Sequence, residues 1–355
     1  MKTLSGRIHP ALSKLLALVL ALCLLAGLSA GAEEADHWVN FLLVCNEGMN
    51  NSGGNAGNTL MVVAMNPEKG IIRLGVFTWD TFVDYEGYDL PQKLDMPYRN
   101  NGPEETLKVF KQNFALDIDL FMSLNYLNLA SLVDSYGGVT VDISRAERNA
   151  LNGMVASKKQ SIQKQADSGL LSQVVVELLA DEYYLNDYGP ETHLNGLQAV
   201  GFGWLQYDSV YNCCEREVEV IASLFNSVAK TIGQKLALYT DATGYPEDVA
   251  GRTAINLDHI TDEDMHFLRQ QMAPIFEMSY NNLSDEDIEG ITRALINVAN
   301  LASRQGVDIF EHVDTKVFPL EAQNPYDMVA GAQGHLVDNA ANTAAMQEFL
   351  FAEKD

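Results

Sequence analysis

Basic residues are scarce in this chain. Its 355 residues include 23 Lys and Arg against 48 Asp and Glu, a formal net charge of −25. Nucleic-acid binding needs a basic footprint on the phosphate backbone. No Lys/Arg cluster occurs, so no nucleic-acid partner is expected. A polyanionic polymer would meet the same repulsion unless a divalent cation bridged the two. Cysteine is also rare, four in all, and no Cys/His spacing suits a metal centre. There is no P-loop and no G-x-S-x-G elbow. The seven histidines are scattered and read as surface or capped side chains rather than ligands. No internal repeat or low-complexity linker is present. Taken alone, these absences leave carboxylates at strand ends as the source of any chemistry.

Apolar residues make up 47% of the chain, ample for one large core. The N-terminus has the form of a targeting segment. Lys2, Arg7 and Lys14 precede "LLALVLALCLLAGL", an apolar run of 14 residues, and Ala30 and Ala32 stand in an A-x-A arrangement. That run is short for a membrane span, which needs ~20 apolar residues. Residues 1–32 therefore read as a cleaved signal peptide, with an uncleaved anchor as the alternative. An exported, extracytoplasmic protein follows, either secreted or held at the cell surface. Export places Cys45, Cys213 and Cys214 where disulfides can form. Three thiols allow at most one bridge, Cys45 with either of the others, or else three small buried side chains.

"VNFLLVC" (39–45) and "TLMVVAMNPEKGIIRLGVFT" (59–78) read as strands, with Pro67 and Gly70 marking a turn. "GPEETLKVFKQNF" starts a helix with Pro103 and two acids in its first turn. "NYLNLASLVDSYGG" gives a second helix and "VTVDI" a further strand. Residues 147–192 are polar and helix-prone, a surface excursion. Val218, Ile221, Leu224, Phe225 and Val228 recur at helical spacing. Ser284 before Asp285, Glu286 and Asp287 caps a later helix. Interspersed strands and helices predict a single α/β/α domain with a central mixed sheet. The boundaries expected are 37–235 for the core, carrying the 147–192 insertion, and 236–355 for a C-terminal part packed on the same domain.

The order of segments resembles the LytR-CpsA-Psr family of exported cell-envelope proteins. "FLLVCNEG" stands where the family has a strand ending in Gly-x-Asp. "GNTLMVVAMNPEKGIIRLGVFTWDTFV" corresponds to its Ser-Asp-Thr, Asn-Pro and Pro-Arg-Asp-Thr elements. "YGGVTVDI" carries its Gly-Gly-Val-x-Val-Asp signature, "HLNGLQAVGFGW" its Leu-Asn-Gly helix, and "CEREVEV" its Thr-Glu-Arg-Gln segment. The resemblance implies phosphotransfer of a glycopolymer from a polyprenyl-pyrophosphate carrier to peptidoglycan. In such a site arginines grip the pyrophosphate and carboxylates hold Mg2+.

Carried over by position, the resemblance assigns Glu47, Asn58 and Asp80 to the metal. Asp80 and Arg216 are the catalytic pair, and Trp79, Trp204, Gln206 and Glu215 line the ligand site. The basic side is depleted. Trp79, Trp204, Gln206 and Cys213 stand where arginines are expected, and no Arg or Lys occurs between Leu194 and Cys214. Each lost charge-assisted contact is worth roughly 1.5–3 kcal/mol. Lys93 and Arg99 are the nearest replacements in sequence. Two tryptophans in place of arginines suit a neutral glycan or an apolar tail. The same resemblance places Cys45 and Cys213 at site positions, where a bridge would staple the rim. Two functions are thus expected: glycopolymer transfer through a degenerate pyrophosphate site, or a non-catalytic glycan-, lipid- or protein-binding module.

Overall fold

The computed structural model describes residues 38–48, 51–168, 184–206, 208–243, 262–305, 307, 309–320, 326–329, 331–336 and 339–352. The targeting segment lies outside the described residues. Everything below belongs to one compact unit, Trp38–Asp355. Among the described residues no helix is long and apolar enough to cross a membrane.

The centre is a six-stranded sheet. It is built from β1 (Val39–Asn46), β2 (Gly57–Asn66), β3 (Ile71–Phe77), β6 (Leu120–Asn125), β9 (Tyr280–Asn281) and β10 (Val313–Phe318), in the order β10-β3-β2-β1-β6-β9. β1 runs parallel to β6, and β10 runs parallel to β3, while β2 is antiparallel to both of its neighbours. The sheet is mixed, as expected. Strand β10 comes from the C-terminal part of the chain and completes it.

Alternation along the strands sorts the core into two layers. Phe41, Leu43 and Cys45 of β1, with Met61, Val63 and Met65 of β2, face one cluster. Leu42 and Val44, with Leu60, Val62 and Ala64, face the other. The first layer takes residues from α3 (Tyr126–Ser135), α5 (Gly196–Gly203), α6 (Val210–Thr243) and α8 (Asp285–Gln305). The second takes α1 (Asp95–Asn101), α2 (Pro103–Phe114) and α9 (Asn339–Phe351). Phe77 packs there against Phe110 with ring centroids 4.7 Å apart. The α/β/α layering follows from these two apolar faces.

The stretch 147–192 is more than a surface excursion. Among the described residues its first part lies in α4 (Arg145–Asp167), which starts on a Ser144–Glu147 capping box and buries Leu151, Val155 and Ile162 in the first layer. Its end supplies β8 (Gly189–Leu194), paired with β7 (Val139–Ile143). A small sheet joins β4 (Thr81–Val83) and β5 (Gln92–Lys93), which follow β3 in the chain, to β11 (Tyr326–Val329) and β12 (Ala332–Leu336), which follow β10. The remaining long helix is α7 (Asp262–Glu277).

Candidate functional site

Strands β1, β3, β6 and β10 share one direction, so Asn46, Phe77, Asn125 and Phe318 end at the same sheet edge. Open α/β sheets bind ligands outside such carboxyl ends. The loops leaving this edge carry Glu47, Trp79 and Asp80, and Asn58 stands here at the start of β2. The start of α6 also reaches it, because Cys214 Sγ lies 3.9 Å from the carbonyl oxygen of Phe77. The residues picked from sequence therefore converge on one edge, although they do not all face an open surface.

Asp80 is fully buried. A turn positions it: the Thr81 N–H donates to the Thr78 carbonyl at 3.1 Å, and the two threonine hydroxyls lie 2.7 Å apart. Its Oδ1 is 3.1 Å from Nδ1 of His335, on β12. The strand pairing His335↔Thr81 fixes that contact. Gly334 allows it, since a Cβ there would lie 2.2 Å from the Asp80 carbonyl oxygen. The Thr78 hydroxyl reaches the same Nδ1 at 3.5 Å. Hydroxyl and carboxylate thus share one ring nitrogen, which is not the relay of a nucleophile triad. Asp80 Oδ2 is buried with no hydrogen bond among the described residues.

Arg216 is buried and committed. Its Nη2 donates to Asp208 Oδ1 at 2.7 Å, its Nη1 to Asp208 Oδ2 at 3.1 Å and to Glu147 Oε1 at 3.3 Å, and Nη2 also donates to the Leu205 carbonyl. The Arg216 hydrogen bond, with Asn212 and the Ser209 N–H assisting, holds the Asp208 carboxyl well below the usual range. This guanidinium closes the turn before α6. The adjacent Glu215 and Gln206 are exposed.

Trp204 is also buried. Its indole N–H donates to Thr59 Oγ1 at 3.2 Å, and its ring lies 6.5 Å from that of Tyr126. Trp79 is half-buried, with Lys93 Nζ 4.9 Å from its ring centroid. Of the two tryptophans only Trp79 has a partly open face, and a cation already covers it. Arg99 pairs with Asp95 at 2.6 Å.

Cys45, Cys213 and Cys214 are free, buried thiols. The proposed Cys45–Cys213 bridge is absent. The Cys213 thiol instead donates to the Gly203 carbonyl at 3.2 Å. Burial pushes all three thiols up, and Glu217 adds to the effect at each. Glu217 was missed in the sequence. It is 3% exposed, and burial pushes its pKa well above the ordinary range against the weaker pull of the Thr59 side chain and the Arg216 charge. It lies four residues before Ile221 and seven before Leu224, so its place on the apolar stripe was a usable signal.

The expected Mg2+ set is a poor chemical fit to a hard cation. Glu47 is exposed while Asn58 and Asp80 are buried, and one Asp80 oxygen is taken by His335. Among the described residues no three His, Cys, Asp or Glu side chains are grouped to hold a metal. A hard cation needs several converging oxygens. A second polar network, also missed, does order the edge. Asn46 Nδ2 donates to Tyr98 Oη at 2.8 Å, and the Tyr98 hydroxyl donates to the Asn51 carbonyl at 2.7 Å and lies 2.8 Å from Ser123 Oγ. Burial pushes the Tyr98 phenol up to about 12.

Comparison with known proteins adds three findings. A model of the LytR_cpsA_psr family matches residues 28–240. TagU of Halalkalibacterium halodurans, a polyisoprenyl-teichoic acid–peptidoglycan teichoic acid transferase, is 29% identical over 89 residues, 25% of this chain and 29% of TagU. The chain thus matches less than a third of that relative's length. Among solved structures, TagV of Bacillus subtilis aligns with a TM-score of 0.56 at 13% identity, covering 90% of this chain and 99% of TagV. TagT bound to LI-WTA aligns with a TM-score of 0.54 at 13% identity, covering 90% and 93%. At these identities the structural likeness shows the shared fold.

Proposed function

The chain belongs to the LytR_cpsA_psr family, and from that premise we propose that it handles cell-envelope glycopolymers by binding, without arginine-assisted phosphotransfer. Two relatives support the substrate class: TagU acts on polyisoprenyl-linked teichoic acid and peptidoglycan, and TagT is seen with LI-WTA. The ligand in this reading is a polyprenyl-linked or otherwise envelope-borne glycan, met outside the cytoplasm. Peptidoglycan is the second partner.

One observation carries the binding reading. Arg216, the single arginine kept from the family pattern at the α6 start, directs its guanidinium to Asp208, Glu147 and Leu205. A guanidinium so paired is not available as a fork for phosphate oxygens. The other arginine positions are occupied by Trp79, Trp204, Gln206 and Cys213. No step is routed through Mg2+, because Asp80, its one fully retained carboxylate, is buried with an oxygen held by His335. What these residues offer a ligand is the half-buried Trp79 ring with Lys93, and the exposed Glu47, Gln206 and Glu215.

A transfer assay tests this. The full chain is incubated with a polyprenyl-pyrophosphate-linked glycopolymer and peptidoglycan, with and without Mg2+. Binding of the donor without transfer is the expected result. Mg2+-dependent transfer that Asp80→Asn abolishes would overturn the proposal.

A further inference from the structure

The loop that joins β4 to β5 holds a second candidate site, lined by none of the residues assigned to the Asp80 edge. Residues Asp84–Pro91 and Gln112 enclose a cavity of about 340 Å³. That is at the small end of the ~300–1,000 Å³ range for ligand pockets. Tyr85 is buried and forms its floor. Tyr88 stacks on it with ring centroids 5.2 Å apart and planes 22° apart. The outer faces stay in water, with Tyr88 46% and Leu90 53% exposed, two of the few large apolar side chains so placed among the described residues.

This exposure is not that of a loose loop. Asn113 clamps its start, accepting from the Asp84 N–H at 2.8 Å and donating to the Asp84 carbonyl at 2.9 Å. Asn101 donates to the Tyr85 hydroxyl at 2.9 Å and Asn100 to the Tyr88 hydroxyl at 3.2 Å. Both rings are therefore held in orientation before any ligand arrives, which lowers the entropic cost of binding. An anchored loop that keeps an aromatic face and an aliphatic side chain in water loses burial energy that a ligand would restore.

We propose that this loop is a binding site for an uncharged pyranose glycan. The open Tyr88 face is flat and apolar, suited to the C–H face of a sugar ring. Around it Asp84, Glu86 and Asp89 accept hydrogen bonds from hydroxyls, and the exposed Gln112 amide can accept or donate. The three carboxylates exclude an anionic polymer by like-charge repulsion. The shallow cavity takes one or two rings and leaves a chain free to run past it. The inference is independent of what the Asp80 edge binds.

Titration calorimetry of the full chain with tri-N-acetylchitotriose tests it, beside a glycerol-phosphate oligomer and a lysine-rich peptide. Trisaccharide binding is expected, weakened about tenfold by Tyr88→Ala and kept by Tyr88→Phe, with an unchanged melting temperature in both variants. Tyr88 and its loop are exposed, so the fold should survive either change. No trisaccharide binding, or binding that Tyr88→Ala leaves intact, overturns the proposal. So does preferential binding of the anionic oligomer or of the cationic peptide.

Discussion

Arg216 lies 2.7 Å and 3.1 Å from the two carboxyl oxygens of Asp208, a two-pronged pair that closes the turn in front of α6. The two partners differ in burial: the Arg216 side chain is 6% exposed and that of Asp208, at the surface, 26%. The pair holds the family's remaining arginine inside the fold, and its energetics can be read directly.

Replacing Asp208 leaves the buried Arg216 guanidinium without its two-pronged partner, whereas replacing Arg216 leaves a carboxylate that water can reach. Asp208→Asn and Arg216→Met should each destabilise the protein by about 1–2 kcal/mol, the solvent-facing carboxylate reducing the loss below that of a fully buried pair. A double-mutant cycle in urea should show coupling of more than ~1 kcal/mol. Additive losses would mean that the pair is not a structural clamp.

The pH profile of stability follows from buried acids. Burial, with the Asp142 and Glu147 charges adding to it, raises the Glu219 carboxyl to about 7, against the Asp142 N–H that it accepts at 2.6 Å. Glu217 is raised as well. A carboxyl raised on folding binds its proton more tightly in the native state, so stability falls as pH rises. The window for Glu219 runs from its unfolded value, near 4.5, to about 7. Asp208, lowered on folding, acts in the opposite sense and only at more acidic pH. Glu219→Gln should flatten the decline and gain about 1 kcal/mol above pH 7, a figure reduced for partial exposure. Denaturation midpoints from pH 4 to 8 measure it; an unchanged slope in the variant would contradict the assignment.

Cys45, Cys213 and Cys214 should be silent toward a thiol reagent in the folded protein and react on unfolding, since each is buried and its thiolate disfavoured. Mass spectrometry of protein alkylated after unfolding, without a reductant, should find all three modified. Recovery of only one would show that a bridge forms.

His335 supports the Asp80 turn, so His335→Ala should cost ~1–3 kcal/mol by leaving Asp80 buried without that partner. His335→Gln, which keeps a donor, should recover part of the loss. Equal stability of His335→Ala and wild type would remove His335 from the account.

Local signals explain what the sequence reveals. Strands β1 to β3 announce themselves as apolar β-branched runs, and α2 by Pro103 and its acids. The Ser284 cap is realised, with the Asp287 N–H donating to Ser284 Oγ at 3.2 Å and the Ser284 N–H donating to Asp287 at 2.8 Å. The Asp80–His335 contact spans 255 residues and depends on β12 lying beside β4, which no local pattern encodes. His335 looked like any scattered histidine for that reason. Trp204 looked like a ligand face because its burial against Tyr126 and Thr59 arises only when α5 packs on the sheet. Arg216 was visible, but its pairing depends on the turn geometry around Asp208. Position along the chain located the edge; packing decided which side chains remain open there.

The central claim is that the edge holds its ligand without a pyrophosphate grip. The most direct measurement compares the affinity of the full chain for a short polyprenyl pyrophosphate with that for the matching neutral polyprenyl glycoside, each with Mg2+ and with a chelator. The account predicts that the pyrophosphate adds no affinity and that the chelator changes neither value. Tight pyrophosphate binding that requires Mg2+ and falls at least tenfold in Asp80→Asn would contradict it.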